Sequence, residues 1–577
     1  MQEYRLSQRR LAVLLIALLA VASPAVRGQA RKVPIGAAEV SSIAQILMLE
    51  DTRTFDEPVL ARLLQSKHPE VRRRTVIAIA RIADPRGRTL LAPARTDTDP
   101  EIVAAAAFAA GQLKDADAVA WLDTVLAAPA TPPAVSQEAA RSLGKIRSPE
   151  ARASLARYLS TAPMTRASAA PAGEALLALG RFPLSGDVTP IVRWTSASDA
   201  DLRWRAAWAL FRPRDPAAVP HLLRLADDLS ADVRLWAVRG LAPAAVAAAG
   251  LDAARAASRL RAAVRDPDRR VRTEAVRALT AYDDDDSFSI LLGALDSPDS
   301  WLSVSAAEGL ARFAARKDVV VSKLVAASAP ARPLAVRIAA LGSLAPLSPE
   351  RAIEAASALA RETSIVARTT ALQTLRRLGP AGTARLDELI AADAVLKALL
   401  PPAQRAPRPA AAVRPESEYR RLVERWIVPD YNGLPKPRAI LETPRGPIEI
   451  ELYAGDAPLG LDYFVSVVES GALVGTEFGR VVPNFVAQQR AIREDVTLRD
   501  EVSRRGLTRG NLSWASAGLD TGRPGYTLGN APQPHNEGDF TALGRVVKGM
   551  DAVDHLELAD RITAARMVPA AGRARIR

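Results

Sequence analysis

DRRVRTEAVRALTAY, residues 268–282, pairs Val271 with Arg272 and then sets alanines and other apolar residues at helical spacing up to Leu279. The phrase returns as HPEVRRRTVIAIARI from His68, DPEIVAAAAFAAGQL from Asp99, PPAVSQEAARSLGKI from Pro132 and SADVRLWAVRGL from Ser230. Aligned on its anchor it recurs at Val71, Ile102, Val135, Pro171, Leu202, Val233, Val271, Leu302, Val336 and Ala367, at intervals of 31 to 38 residues. Ten units with a period near 33 predict an all-α solenoid of helix pairs over residues 31–400. A pair of such short helices cannot bury its apolar stripe alone, so each unit leans on its neighbours. Asp99-Pro100, Asp266-Pro267 and Ser297-Pro298 read as N-caps followed by first-turn prolines.

The repeats resemble HEAT repeats, particularly their short variety; the Thr-Pro-Leu-His signature of ankyrin repeats, which share the period, is missing. The resemblance implies a surface for a protein partner rather than chemistry. Arg72, Arg203, Arg234, Arg272, Arg337 and Arg368 recur just after the anchor. They read either as a basic track for an acidic polypeptide or as bridges to Asp that hold adjacent repeats together, and we take the second. Trp204, Trp208 and Trp236 are assigned to packing between repeats.

Composition narrows the chemistry. The chain of 577 residues exceeds one domain several-fold and has a soluble globular balance, 49% hydrophobic and 24% charged. It has no cysteine, which excludes disulfides, thiolate metal sites and a cysteine nucleophile. His68, His221, His535 and His555 stand at none of the short spacings of a two-histidine metal motif. The net charge of +13 is an arginine surplus, modest over this length.

Outward from the repeats, residues 1–30 read as an export signal. Arg5, Arg9 and Arg10 lead into twelve apolar residues, Leu11 to Ala22, and Gly28 and Ala30 suit cleavage before Arg31. Twelve helical residues rise about 18 Å, short of a hydrocarbon core of about 30 Å. The expectation is an exported protein, periplasmic or extracellular, with no stable membrane span after cleavage and no nucleic-acid partner. Residues 401–435 are Pro/Ala-rich and predict a semi-extended linker, with one or two helical turns within Glu416–Trp426. Residues 570–577 form a basic tail.

From Ala439 the period changes to two. AILETP and IEIELY flank Gly446-Pro447 as a hairpin, LGLDYFVSVVESGAL is an amphipathic helix ending at Gly471, and FGRVVPNFVAQQ is a second strand pair. Further strands follow at WASAG, TLGN and ALGRVV, and many strands with few helices point to a closed β-barrel.

The order IEIELY, AP, F-x-RVVPNFV-x-Q, RDE, A-x-AG-x-DTG, P-x-PH and FTALGRVV-x-GMD-x-VD resembles a cyclophilin-type peptidyl-prolyl isomerase over residues 436–569. The resemblance implies an eight-stranded antiparallel barrel capped by two helices, the second around Met550–Leu558. It also implies an enzyme that twists X-Pro bonds of polypeptide clients without cofactor or metal. Amide resonance sets a barrier of about 18–20 kcal/mol to that rotation. A fixed cationic donor aimed at the proline nitrogen favours the twisted state, in which the lone pair is localised, and so binds the transition state differentially. By resemblance Arg480 is the catalytic arginine, Phe485 lines the proline pocket, Gln488 holds the substrate backbone and Val486 stands where the family usually has methionine. Ala515, Ser516, Thr527, His535 and Phe540 complete the substrate-binding set. Phe485 reads from its residues alone as barrel core just as well.

Several positions depart from the family pattern. Gly479 replaces a His, Gln489-Arg490-Ala491 replaces Gly-Gly-Asp, Gly525 replaces a binding glutamine, Thr527 a pocket aromatic, Asn536 a leucine and Ser516 an asparagine. These departures predict a wetter, shallower pocket with weak or altered activity. The alternative they keep open is an inactive, peptide-binding scaffold.

Overall fold

The computed structural model describes residues 32–400, 414–493 and 496–568. The expected export signal, the expected basic tail and residues 401–413 lie outside them.

Each anchor falls in its own helix, the first in Pro69–Ile82 and the last in Ile365–Arg377. Nine of the ten anchors are the third residue of their helix. The exception is Pro171, which sits one turn further into Arg166–Leu179. There the equivalent position is Ser168, 33 residues after Val135 and 34 before Leu202, so the array is more regular than the sequence alignment made it. The caps shift as well. Asp99 caps Pro100–Gln112 as expected, but Asp268 and Asp299 cap the helices after Pro267 and Pro298, so those prolines precede the cap. Asp266 is thereby released to accept from the Asp268 amide at 2.9 Å and to pair with Arg234.

The anchored helices stack on one another in a single layer, preceded by Ala37–Thr52. Alanine and glycine set their spacing. Ala104, Ala105, Ala106 and Ala107 are fully buried, and a Cβ on Gly144 would stand 2.7 Å from Ala178 Cβ of the next helix. The six recurrent arginines join the repeats: Arg72 to Asp97 at 2.8 Å, Arg203 to Asp228 and Arg234 to Asp266 at 2.7 Å, Arg337 to Glu362 at 2.7 Å, Arg368 to Asp393 at 3.2 Å and Arg272 to Asp299 at 3.7 Å. Several also donate to carbonyls of the preceding turn, as Arg203 does to Ala197 and Ser198. Trp204, Trp208 and Trp236 are buried between repeats.

The C-terminal sheet has eight antiparallel strands, β1 (Arg438–Thr443), β2 (Gly446–Leu452), β3 (Phe478–Val482), β4 (Val486–Gln489), β5 (Asn511–Ala515), β6 (Arg523–Gly529), β7 (Ala542–Lys548) and β8 (Ala564–Val568), in the order β3-β4-β6-β5-β7-β2-β1-β8. It curls until its two edges meet, where Phe478 and Asp560, and Thr476 and Ile562, join backbone to backbone. Alternation of buried and half-buried residues along β1 and β2 aims Ala439, Leu441, Ile448, Ile450 and Leu452 inward. Phe464, Trp514 and Tyr526 fill the interior, with ring centroids 4.9 Å apart in each contact with Tyr526. Pro458–Glu469 and Met550–His555 are the two cap helices.

Between the two parts the chain is more ordered than its proline content predicts. Helical structure runs unbroken from Glu416 to Tyr431 through a π turn at Val423–Ile427, not for one or two turns. Its apolar face, Tyr419, Leu422, Val423, Trp426 and Ile427, is buried. Tyr419 Oη donates to Asp51 at 2.9 Å and Trp426 Nε1 to Asp462 at 2.9 Å, tying the first repeats to the barrel's cap helix. One hydrophobic core joins Ala37–Thr52, the early repeats, this helix and the barrel interior.

The barrel sits against the anchored helices along the array, and the array grips it by donating to its backbone. Arg53 reaches Asp500 O, Arg81 reaches Val502 O, Arg141 reaches Arg504 O, Lys145 reaches Gly538 O and Arg269 reaches Asp554 O, at 2.5 to 2.9 Å. At the far end Ser364 Oγ donates to Glu477 at 3.1 Å. One face of the solenoid thus holds the chain's own barrel.

Candidate active site

Strand register builds the site. Arg480 on β3 lies opposite Gln488 on β4, Gln488 opposite Thr527 on β6, and Thr527 opposite Ser513 on β5. These four residues therefore form one row across neighbouring strands. Asn484 takes the left-handed conformation at the β3–β4 tip, with φ 57°, which turns Phe485 and Val486 back beside Arg480. A cleft of about 500 Å³ opens over this row.

Eight of the nine expected residues line it: Arg480, Phe485, Val486, Gln488, Ala515, Ser516, Thr527 and Phe540. The ninth, His535, stacks on the outer face of Phe485 with centroids 5.9 Å apart. Although His535 is exposed overall, desolvation of the ring stacked on Phe485, and then Arg212, Arg181 and Arg239, push its pKa down to about 4, so its imidazole is neutral at physiological pH. Phe485 is half-buried and faces the cleft, which separates it from the barrel core.

Arg480 is distinctive in a chain whose arginines are mostly paired. Among the described residues its guanidinium has no carboxylate or hydrogen-bond partner and rests 5.4 Å from the Phe485 centroid. Partial burial lowers its pKa, and a guanidinium still stays charged at any pH the fold survives. The cleft thus presents an exposed, unpaired cation beside an apolar ring, with Gln488 opposite it in the strand register.

The polar replacements are less open to water than expected. Thr527 is 9% exposed and its hydroxyl pairs with Ser513 Oγ at 2.6 Å, with Asn511 Nδ2 3.3 Å from the same oxygen. Asn536 Nδ2 donates to Gln533 Oε1 at 3.0 Å. The Ser516 hydroxyl is spent on its own turn, on Gly518 O and Thr521. Other departures fit each other. The Arg490 stem covers Gly479, where a Cβ would lie 2.5 Å from Arg490 Cγ, and the 489–491 backbone leaves a Cβ on Gly525 only 3.0 Å from Gln489 O.

Sequence reasoning missed three residues. Gln533 Nε2 donates to Phe485 O at 3.1 Å and holds the backbone that carries the ring; it stands at the free position of P-x-PH. Asn484 is 2% exposed and turned toward the solenoid. Gln489 is 1% exposed, lines the cleft and has no hydrogen-bond partner for either amide atom among the described residues. Its signal was the loss of the family's glycine there.

Comparisons with known proteins match both parts of the chain. The family described as cyclophilin type peptidyl-prolyl cis-trans isomerase/CLD matches residues 438–571, and HEAT repeats match segments between residues 57 and 311. A peptidyl-prolyl cis-trans isomerase of Synechococcus elongatus is 31% identical over 139 residues, 23% of this chain and 96% of that protein. One of Helicobacter pylori is 31% identical over 134 residues, 22% of this chain and 82% of its own. A solved cyclophilin-type isomerase from Cryptosporidium parvum aligns over 23% of this chain and 98% of its own, at 17% identity and a TM-score of 0.22. Through its C-terminal barrel the chain belongs to the cyclophilin-type peptidyl-prolyl cis-trans isomerases, and it carries that enzyme domain on an array of HEAT repeats.

Proposed function

We propose that the protein is exported and isomerises X-Pro bonds of polypeptide clients in the cleft over Arg480. The unpaired Arg480 guanidinium, beside Phe485 and across from Gln488, carries this reading. A proline ring rests on Phe485, the Gln488 amide holds the client backbone, and Arg480 donates to the proline nitrogen as resonance is lost. Because that nitrogen accepts only when twisted, the contact strengthens toward the transition state. In the full chain, Arg480→Ala is expected to cut kcat/KM for a proline tetrapeptide roughly 100-fold, the scale of removing one charge-stabilising donor. A wild-type chain with no rate above background sinks the reading.

Client choice follows from charge. Arg181 and Arg212 act on His535 at the rim, and Arg212 has no side-chain partner among the described residues. Clients with Asp or Glu flanking the proline are therefore favoured, with a kcat/KM advantage over Lys-flanked peptides that shrinks as salt rises. Equal rates for both peptides would remove that preference. With one face of the repeats on the barrel, a further protein partner would meet their outer helices. Export rests on residues 1–30, and a secreted chain beginning at Arg31 by mass is its test.

The second reading, peptide binding without turnover, rests on Gly525, Thr527 and Asn536. Proline-peptide affinity without catalysis, indifferent to Arg480→Ala, would select it.

A further inference from the structure

The two lips of the proline cleft are fastened to the solenoid. On one lip, the β3–β4 tip, Asn484 Nδ2 donates to Glu274 Oε1 at 2.7 Å and to Arg270 O at 2.9 Å, while Arg239 Nη2 reaches Asn484 O at 3.5 Å. On the other, the 533–540 loop, Pro534 O accepts from Arg181 at 2.5 Å, and Gly538 O accepts from Gln112 and Lys145 at 3.0 and 2.8 Å. Glu274 is itself held rigidly. It is 2% exposed, lies on Arg269–Leu279, and pairs with Arg239 at 2.8 Å and Arg277 at 2.7 Å. Two repeats therefore converge on one carboxylate whose remaining bond goes into the enzyme domain.

We propose that Glu274 is a positioning residue for the isomerase, acting through Asn484 to fix the hairpin tip that sets Phe485 against Arg480. Phe485 follows Asn484 directly, and its amide bonds Val482 O at 3.1 Å to close the same turn. A tip free to move would let the proline ring and the guanidinium drift apart, and small misplacements of reacting groups cost rate steeply. Buried charge pairs lend the anchor rigidity, since the tip can shift only by stranding the Asn484 amide against a buried carboxylate. The repeats thus hold the tip of the cleft through a carboxylate supplied from 210 residues away. This rests on reading the cleft as the isomerase site.

The test uses the full-length chain in three variants. Asn484→Gly keeps the left-handed turn, which glycine adopts freely, and removes both side-chain bonds. Glu274→Ala removes the acceptor, and Glu274→Gln removes the charge but keeps Oε1. Expected are about tenfold losses of kcat in Asn484→Gly and Glu274→Ala, with KM changed less, and near wild-type kcat in Glu274→Gln despite its lower melting temperature. Amide hydrogen exchange at Phe485 should accelerate in the first two variants only. Wild-type kcat and unchanged exchange in Asn484→Gly would overturn the proposal, as would Glu274→Gln losing as much kcat as Glu274→Ala. A wild-type chain without any rate would fail the isomerase reading instead, and Phe485 exchange in Asn484→Gly would then decide the anchor alone.

Discussion

At the residue scale the departures from the family pattern form a matched set. Read singly, Gly479, Gln489-Arg490-Ala491 and Gly525 each look like a lost binding group. In space Arg490 occupies the room over Gly479, and the backbone from Gln489 to Ala491 occupies the room over Gly525. The two glycines then respond differently to substitution. Gly479→Ala puts a Cβ 2.5 Å from Arg490 Cγ, near the root of that side chain, so the arginine must take another rotamer to admit it. Gly525→Ala meets backbone at 3.0 and 3.2 Å and should lower stability by about 1–3 kcal/mol in denaturant melts. Restoring the family residue as Gly525→Gln should likewise reduce kcat/KM rather than raise it; a gain would show that the site is eroded rather than rebuilt. That Arg480, Phe485 and Gln488 share one cleft was legible because they lie within nine consecutive residues. Gln533 and Asn484 were not, because their partners are set by the fold.

At the element scale the helical period was the strongest signal, and it placed every anchored helix. Its errors were local and physical. Proline is tolerated one turn into Arg166–Leu179, which displaced one anchor, and an Asp two residues after Asp266 or Ser297 makes the better cap. The largest surprise was Glu416–Tyr431. Prolines on both sides read as a linker, yet the apolar residues between them find two surfaces at once, Ala37–Thr52 and the barrel's cap helix. Tertiary burial outweighs local propensity here. Ile427 is fully buried in that shared core, so Ile427→Ala should destabilise the full chain by about 2–4 kcal/mol and expose the 414–435 segment to protease. A change under 0.5 kcal/mol, within the noise of surface substitutions, would mean that this helix is not part of the cooperative unit.

At the scale of the whole molecule, array and barrel are one body joined largely by arginines that donate to carbonyls, a union no local pattern records because the partners lie hundreds of residues apart. Such an interface buries acids as well. Glu537, on the rim loop, is packed against Glu174, Arg141, Arg181 and Arg205 of the repeats; burial and then Glu174 raise its pKa, against the arginines. Burial likewise raises Glu501 to about 7, although its carboxylate caps Pro458–Glu469, and raises Asp500 to about 6. For an acid raised in the fold, the native chain keeps a proton that the unfolded chain has released. Its contribution is full below the unfolded carboxylate range and is lost as pH climbs through the folded value. His535, lowered to about 4, runs the other way, adding stability as pH rises from 4 through the ordinary imidazole range. The two trends overlap, so absolute melting curves mix them, and a difference separates them. Glu537→Gln keeps the oxygen that accepts from Leu507 N at 3.2 Å and removes the titration, leaving His535 untouched. From pH 5 to 8 the wild type should lose stability that the variant retains, so the melting-temperature difference should move steadily in favour of Glu537→Gln. A difference that stays flat across that range would mean that this carboxyl is already ionised in the folded chain and that the arginines beside it, not the proton, hold the rim to the repeats.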